Sequence, residues 1–167
     1  GDTDCTVDGW MNRGCSFDGD GDYVMIDVDE ENLDGSQTLA GWFKSTGTIP
    51  GPHQTLVCTD TDYMYGIKLM PYKNFKRVVL WIGNGTDETA PYTSFDVIDG
   101  EWHFLAGVYD YESGYAHIYI DGNLSSSTNV GQWDIPVSGY GAIGIEYHGL
   151  GSYSFNGTID AVSYTHL

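Results

Sequence analysis

The chain has 167 residues, long enough for one sandwich-sized domain with a real core and too short for two comfortable ones. It carries 24 acidic against 6 basic residues, a formal net charge of −18, which argues against nucleic acid and anionic membrane surfaces because phosphate contacts need Lys and Arg. No run of about 18 apolar residues could insert into a bilayer, and no basic and then apolar leader opens the sequence, so the start at Gly1 looks like a processed, secreted form.

Residues 1–14 read as an N-terminal extension and residues 15–167 as the domain. In a secreted chain the nearest cysteine pairing, Cys5 with Cys15, would close a short loop and staple the N-terminus. Next comes "DGDGD", which places Asp18, Asp20 and Asp22 two apart in a Gly-permissive loop. Such a loop lets carboxylate and carbonyl oxygens converge on a hard cation such as Ca²⁺, although solvated carboxylates on a tight turn are the plainer reading. It is not an EF-hand, because Tyr23 stands where that loop needs Gly.

"DYVMIDV" alternates through Val24, Ile26 and Val28 and predicts a strand. "VDEENLDGS" tempts toward a helical turn but lacks an apolar stripe of period 3.6, and "QTLAGWFKS" predicts a strand from Leu39 to Phe43. "QTLVC" ends in Cys58, read as a buried small hydrophobe, with a bridge to another residue or chain as the alternative. Lys68, Lys73, Lys76 and Arg77 then gather four of the six basic residues. A solvated face explains them, and so does self-association, in which they meet the acidic surface of another copy while residues 1–12 add a strand to its open sheet edge.

"RVVLWIG" predicts another strand, and "DGEWHFLAGVYDYESGYAHIYIDG" predicts a hairpin. Trp102, Phe104, Ala106 and Val108 share one parity and Ala116, Ile118 and Ile120 another, so with Val108 opposite Ala116 all seven are expected to face the core. His103, Leu105, Tyr109 and His117 are then expected outside, with His103 against Asp121. Trp42 and Trp102 read as core, whereas Trp133 in the "GQWDIP" loop is the exposed candidate for stacking on a glycan. Asn84, Asn123 and Asn156 are glycosylation acceptors by pattern, and "GAIGIEY" and "GTIDAVSY" close the series of strands. An all-β sandwich is the economical solution.

Catalysis finds no support. The Glu-x-Asp-x-x-Glu of strand-borne glycosidases and the His-Glu-x-x-His of zinc proteases do not occur, and no Ser sits in a nucleophile-elbow context, so the chain is expected not to be an enzyme.

Taken in order, "CSFDGDGDYVMI", "TLAGWFK", "TLVCTD", "DGEWHFLAGVYD", "IYIDG", "GAIGI" and "FNGTIDAV" resemble the laminin-G-like, concanavalin A-like jelly-roll domains across residues 15 to 162. The resemblance implies a two-sheet antiparallel jelly roll with its first and last strands side by side, of a kind widespread in secreted and surface proteins. It also implies a structural Ca²⁺ held by an Asp of each of those strands, here Asp18 and Asp160. The ending "AVSYTHL" departs from the family and resembles a translated sequencing adapter, a sign that residues from about Ser163 are not native coding. The expected function is a calcium-assisted extracellular interaction module. Its partners are either copies of itself, in a filament or sheath, or surface glycans in the manner of a lectin.

Overall fold

The computed structural model describes residues 3–28, 35–47, 53–59, 65–72, 74–135, 140–146 and 153–166. Apolar alternation broken by Gly, Asp and Ser leaves no helical period. Among the described residues the chain forms fourteen strands and no helix; residues 29–34 of the tempting "VDEENLDGS" lie outside them. β1 (Asp4–Asp8) and β2 (Arg13–Asp18) make an N-terminal hairpin, followed by β3 (Val24–Asp27) and β4 (Gln37–Lys44). Then come β5 (Val57–Cys58), β6 (Tyr65–Tyr72) and β7 (Arg77–Asn84), with two short strands, β8 (Glu88–Thr89) and β9 (Tyr92–Ser94), both laid on β7. β10 (Trp102–Asp110), β11 (Tyr115–Ile120) and β12 (Asn123–Asn129) form a meander, and β13 (Tyr140–Ile143) and β14 (Asn156–His166) complete the fold.

The first sheet has the order β1-β2-β14-β4-β10-β11-β12 and the second the order β3-β13-β5-β6-β7-β8. Every pairing is antiparallel, giving the jelly-roll sandwich predicted. β2, the first strand of the region that carries the resemblance, and the last strand, β14, do lie together, with Asn156 opposite Asp18 and Ile159 opposite Cys15, and Ser163 to His166 continue β14 against Ala40 to Gln37 of β4. Residues 4–8, placed in an extension by the sequence reading, are an edge strand of the first sheet, and the predicted Cys5–Cys15 disulfide joins them to β2. The segment offered to a neighbour's sheet is thus used within the chain itself.

Between the sheets, Leu39, Phe43, Leu105 and Ile118 meet Leu56, Ile67, Leu69, Leu80 and Ile82, all fully buried. The β10–β11 register corrects the expected faces. Tyr109, not Val108, pairs with Ala116, because Asp110 closes the turn: its carbonyl accepts from Gly114 N at 2.9 Å and its carboxylate from the amides of Glu112 and Ser113. A slip of one residue exchanges the two faces of a strand. Leu105, Gly107 and Tyr109 therefore point inward. Gly107 is the gap that Leu80 fills, since a Cβ there would lie 2.5 Å from Leu80 Cδ1.

Trp102, Phe104 and Val108 are left half-buried on the outer face of the first sheet, as is Trp42. They are covered in part by Trp10, at the tip of the β1–β2 hairpin, which stacks on Trp42 with ring centroids 4.5 Å apart and approaches Trp102 at 6.3 Å. Leu105→Ala should destabilise by about 2–5 kcal/mol, and Phe104→Ala by visibly less. Urea denaturation of the two variants checks this, and the reverse order would contradict the register.

Candidate functional site

Strand alternation gives the second sheet an outer face of its own. On β6, Ile67 and Leu69 face the core, so Lys68, Met70 and Tyr72 face outward; on β7, Val78, Leu80 and Ile82 face the core and Val79 and Trp81 outward. Met70, Val79 and Trp81 form a separate apolar cluster there with Tyr72 against it. Lys68 is only 1% exposed, its Nζ 4.4 Å from the centre of the Trp81 ring and 2.8 Å from Glu146 Oε1. The second carboxylate oxygen, Oε2, stands 3.3 Å from His53 Nε2. His53 is clamped between two tyrosine rings, Tyr72 at 4.6 Å and Tyr153 at 4.3 Å.

Of these, His53, Met70, Tyr72, Trp81, Glu146 and Tyr153 wall a cleft of about 240 Å³, together with Glu88. In the tautomer that donates from Nε2 to the Glu146 carboxylate, Nδ1 of His53 is left as an acceptor. Nδ1 is buried and has no hydrogen-bond partner among the described residues. An unmet buried acceptor costs about 1–3 kcal/mol, which an entering hydroxyl group can recover. Burial, the largest single effect on the Glu146 carboxyl, opposes its charge; the hydrogen bonds and charges of His53 and Lys68 together outweigh it and hold the pKa down at about 2. The carboxylate is a permanent acceptor at ordinary pH, poorly suited to act as a general acid.

The residues singled out in the sequence are scattered. Asp18 Oδ1 accepts from Asp20 N at 2.7 Å, and the nearly buried Asp22 accepts from Asp18 N at 3.1 Å. Asp160 lies four positions beyond the partner of Asp18 on β14 and accepts from Met11 N at 2.8 Å. Asp18 and Asp160 are therefore not brought to one ion, and among the described residues no three His, Cys, Asp or Glu side chains group around a metal position. Trp133 is half-buried against the core, with its backbone N–H donating to Tyr109 Oη at 2.5 Å, so it is not the free platform expected.

Of the proposed self-association cations, Lys68 is buried in its ion pair and Lys73 lies outside the described residues. Lys76 pairs with Asp96 at 3.0 Å, and the Arg77 guanidinium rests 4.3 Å from the Tyr92 ring centre. Cys58 is buried, as read from the sequence, its thiol donating to Ile145 O at 3.6 Å; His103 meets the Asp121 carboxylate at 2.9 Å, although the backbone of Asp121 pairs with Phe104 and not with His103. Asn156 donates through Nδ2 to Asp18 O, which ties up that glycosylation acceptor, whereas Asn123 is exposed. Sequence reasoning missed His53, Tyr72, Glu146 and Tyr153. One signal was present: in "IKLMPY" a lysine sits inside an apolar strand whose outward positions are also large and apolar.

Residues 18–164 match the family Laminin_G_3, described as the concanavalin A-like lectin/glucanases superfamily, and the chain belongs to it. Among solved structures, it is similar to domain 4 of AbnA, a GH43 extracellular arabinanase from Geobacillus stearothermophilus, in complex with arabinotriose. That match has a TM-score of 0.76 and 20% identity, and covers 96% of this chain and 73% of that one. The binding domain of botulinum neurotoxin serotype D follows at a TM-score of 0.73 and 11% identity, covering 99% and 41%. Mouse laminin alpha1 domains LG4-5 give 0.69 and 16%, covering 91% and 40%, so the chain spans about two fifths of either of these two. At such identities the likeness is one of fold. Compared by sequence with curated proteins, the chain matches none.

The depressed Glu146 pKa has a testable sign. A carboxyl lowered from 4.5 to about 2 contributes roughly 3 kcal/mol of stability above pH 4.5, and this is lost as pH falls toward 2. The stability gap between wild type and Glu146→Gln should therefore shrink across that window in urea titrations. A gap constant with pH would contradict the assignment.

Proposed function

We propose that the chain is a non-catalytic, extracellular glycan-binding module whose site is the cleft on the outer face of the second sheet. The observation that carries this reading is the combination in one cleft of aromatic walls, Tyr72, Tyr153 and Trp81, with a fixed polar pair, His53 and Glu146. A sugar has apolar C–H patches that lie on ring faces and hydroxyls that need charged or neutral acceptors, and ligand sites of this kind join a mostly apolar lining to a few placed polar groups. The arabinanase domain, similar in fold, was solved with arabinotriose, which supports looking for a saccharide here. A disulfide supports an oxidising compartment.

Binding is favoured over cleavage. A retaining or inverting glycosidase needs one carboxyl protonated as the acid, and Glu146, held ionised by Lys68 and His53, does not suit that role. The filament reading has less to stand on, because Lys68 is buried and the N-terminal strand pairs within its own chain.

A glycan array followed by calorimetry on the strongest hit tests the proposal. Tyr72→Ala and Tyr153→Ala should each weaken binding at least roughly tenfold, about 1.4 kcal/mol, while Trp133→Ala leaves it unchanged. Loss of binding with Trp133→Ala and none with the tyrosine variants would move the site elsewhere.

A further inference from the structure

The cleft does not end at Tyr72. Register places Arg77 directly opposite Tyr72 and Tyr92 directly opposite Val79, so both share the outward face with Met70 and Trp81. Phe75, in the turn between β6 and β7, lies 6.4 Å from the Tyr72 ring. The Arg77 guanidinium lies 5.5 Å from Phe75 and 4.3 Å from Tyr92. Flat groups therefore follow one another from Tyr153 through His53, Tyr72 and Phe75 to Arg77 and Tyr92. Phe75 and Tyr92 are 59% and 49% exposed, which leaves ring surface open to a ligand.

We infer that this track is a groove for a linear oligosaccharide bound along its length, with the cleft holding one sugar and the Phe75–Arg77–Tyr92 end holding units farther along the chain. This rests on the glycan reading of the cleft. From β6 over β7 to β9 alone the face runs about 10 Å, at roughly 4.8 Å per strand spacing, which is longer than one sugar ring. Successive rings then find successive flat surfaces. Among the described residues Arg77 forms no ion pair, so its N–H donors are free to meet hydroxyls, and the rings on both sides hold the guanidinium plane in place before the ligand arrives. Register gives the groove a direction: across the strands, from His53 and Tyr72 on the β6 side, over Arg77 of β7, to Tyr92 of β9.

The test uses linear arabino-, xylo- and cello-oligosaccharides, from monosaccharide to hexasaccharide, titrated against the whole chain and against a Phe75→Ala/Tyr92→Ala variant. Both rings are exposed, so the variant should keep its fold, and its unfolding midpoint is measured alongside. With at least one series, wild-type affinity should rise roughly tenfold or more between disaccharide and hexasaccharide. The variant should keep the disaccharide affinity and lose that rise. An affinity flat with length, or a rise undiminished in the variant, overturns the groove while leaving the cleft standing. If no series binds at any length, the glycan reading falls and the groove falls with it.

Discussion

Lys68, 1% exposed on a sheet face, is a charge taken out of water, and Glu146 meets it. That ion pair organises everything around it. Glu146 follows β13, whereas Lys68 lies in β6, two strands away across the short β5. Holding them together at 2.8 Å ties the chain beyond β13 to the middle of the second sheet. The same carboxylate orients His53, which in turn spaces Tyr72 and Tyr153 on either side of its ring. Removing one partner of a buried pair typically costs about 3–5 kcal/mol, much of it the penalty of leaving the other charge alone. The aromatic walls of the cleft are thus held by electrostatics at their base, and a sheet face that would otherwise be a second apolar surface becomes a binding site.

The two outer faces of the sandwich are used differently. On the first sheet, the N-terminal hairpin turns Trp10 down onto Trp42 and Trp102, and the Cys5–Cys15 disulfide together with the Met11 to Asp160 hydrogen bond fixes the hairpin there. This is closure by the chain itself: half-buried rings receive a cover. On the second sheet, Phe75 and Tyr92 stay largely exposed, and Tyr72, Phe75, Arg77 and Tyr92 follow one another. Asp160 belongs to the first arrangement. Its carboxylate serves the hairpin tip, and this explains why it does not reach the Asp-Gly loop four positions back along β14.

Much of the fold was legible because strand periodicity and turn residues are local signals. The alternation in "DYVMIDV", the Asp-rich turn at Asp110 and the spacing of Cys5 and Cys15 each point to what is found. What misled was the parity of β10. Trp102, Phe104, Ala106 and Val108 are together more apolar than Leu105, Gly107 and Tyr109, yet the latter face inward, because a glycine at the centre admits Leu80 from the other sheet and Tyr109 Oη reaches Gly131 O and Trp133 N. Both are facts about the opposing surface, which no single strand encodes. The site was less legible for the same reason. Lys68, read as a surface cation, His53 in a loop and Glu146 after a strand become a unit only through long-range pairing, separated by up to 93 residues in sequence.

The most direct test of the claim that this buried charge network builds the ligand site is an NMR titration of the whole chain with a linear oligosaccharide selected by array. Side-chain and amide shifts concentrated on His53, Tyr72, Trp81, Glu146 and Tyr153, with Trp10, Trp42 and Trp133 unmoved, are expected. Shifts centred on the Trp10–Trp42 face, on Trp133 or on the Asp18 to Asp22 loop would contradict it.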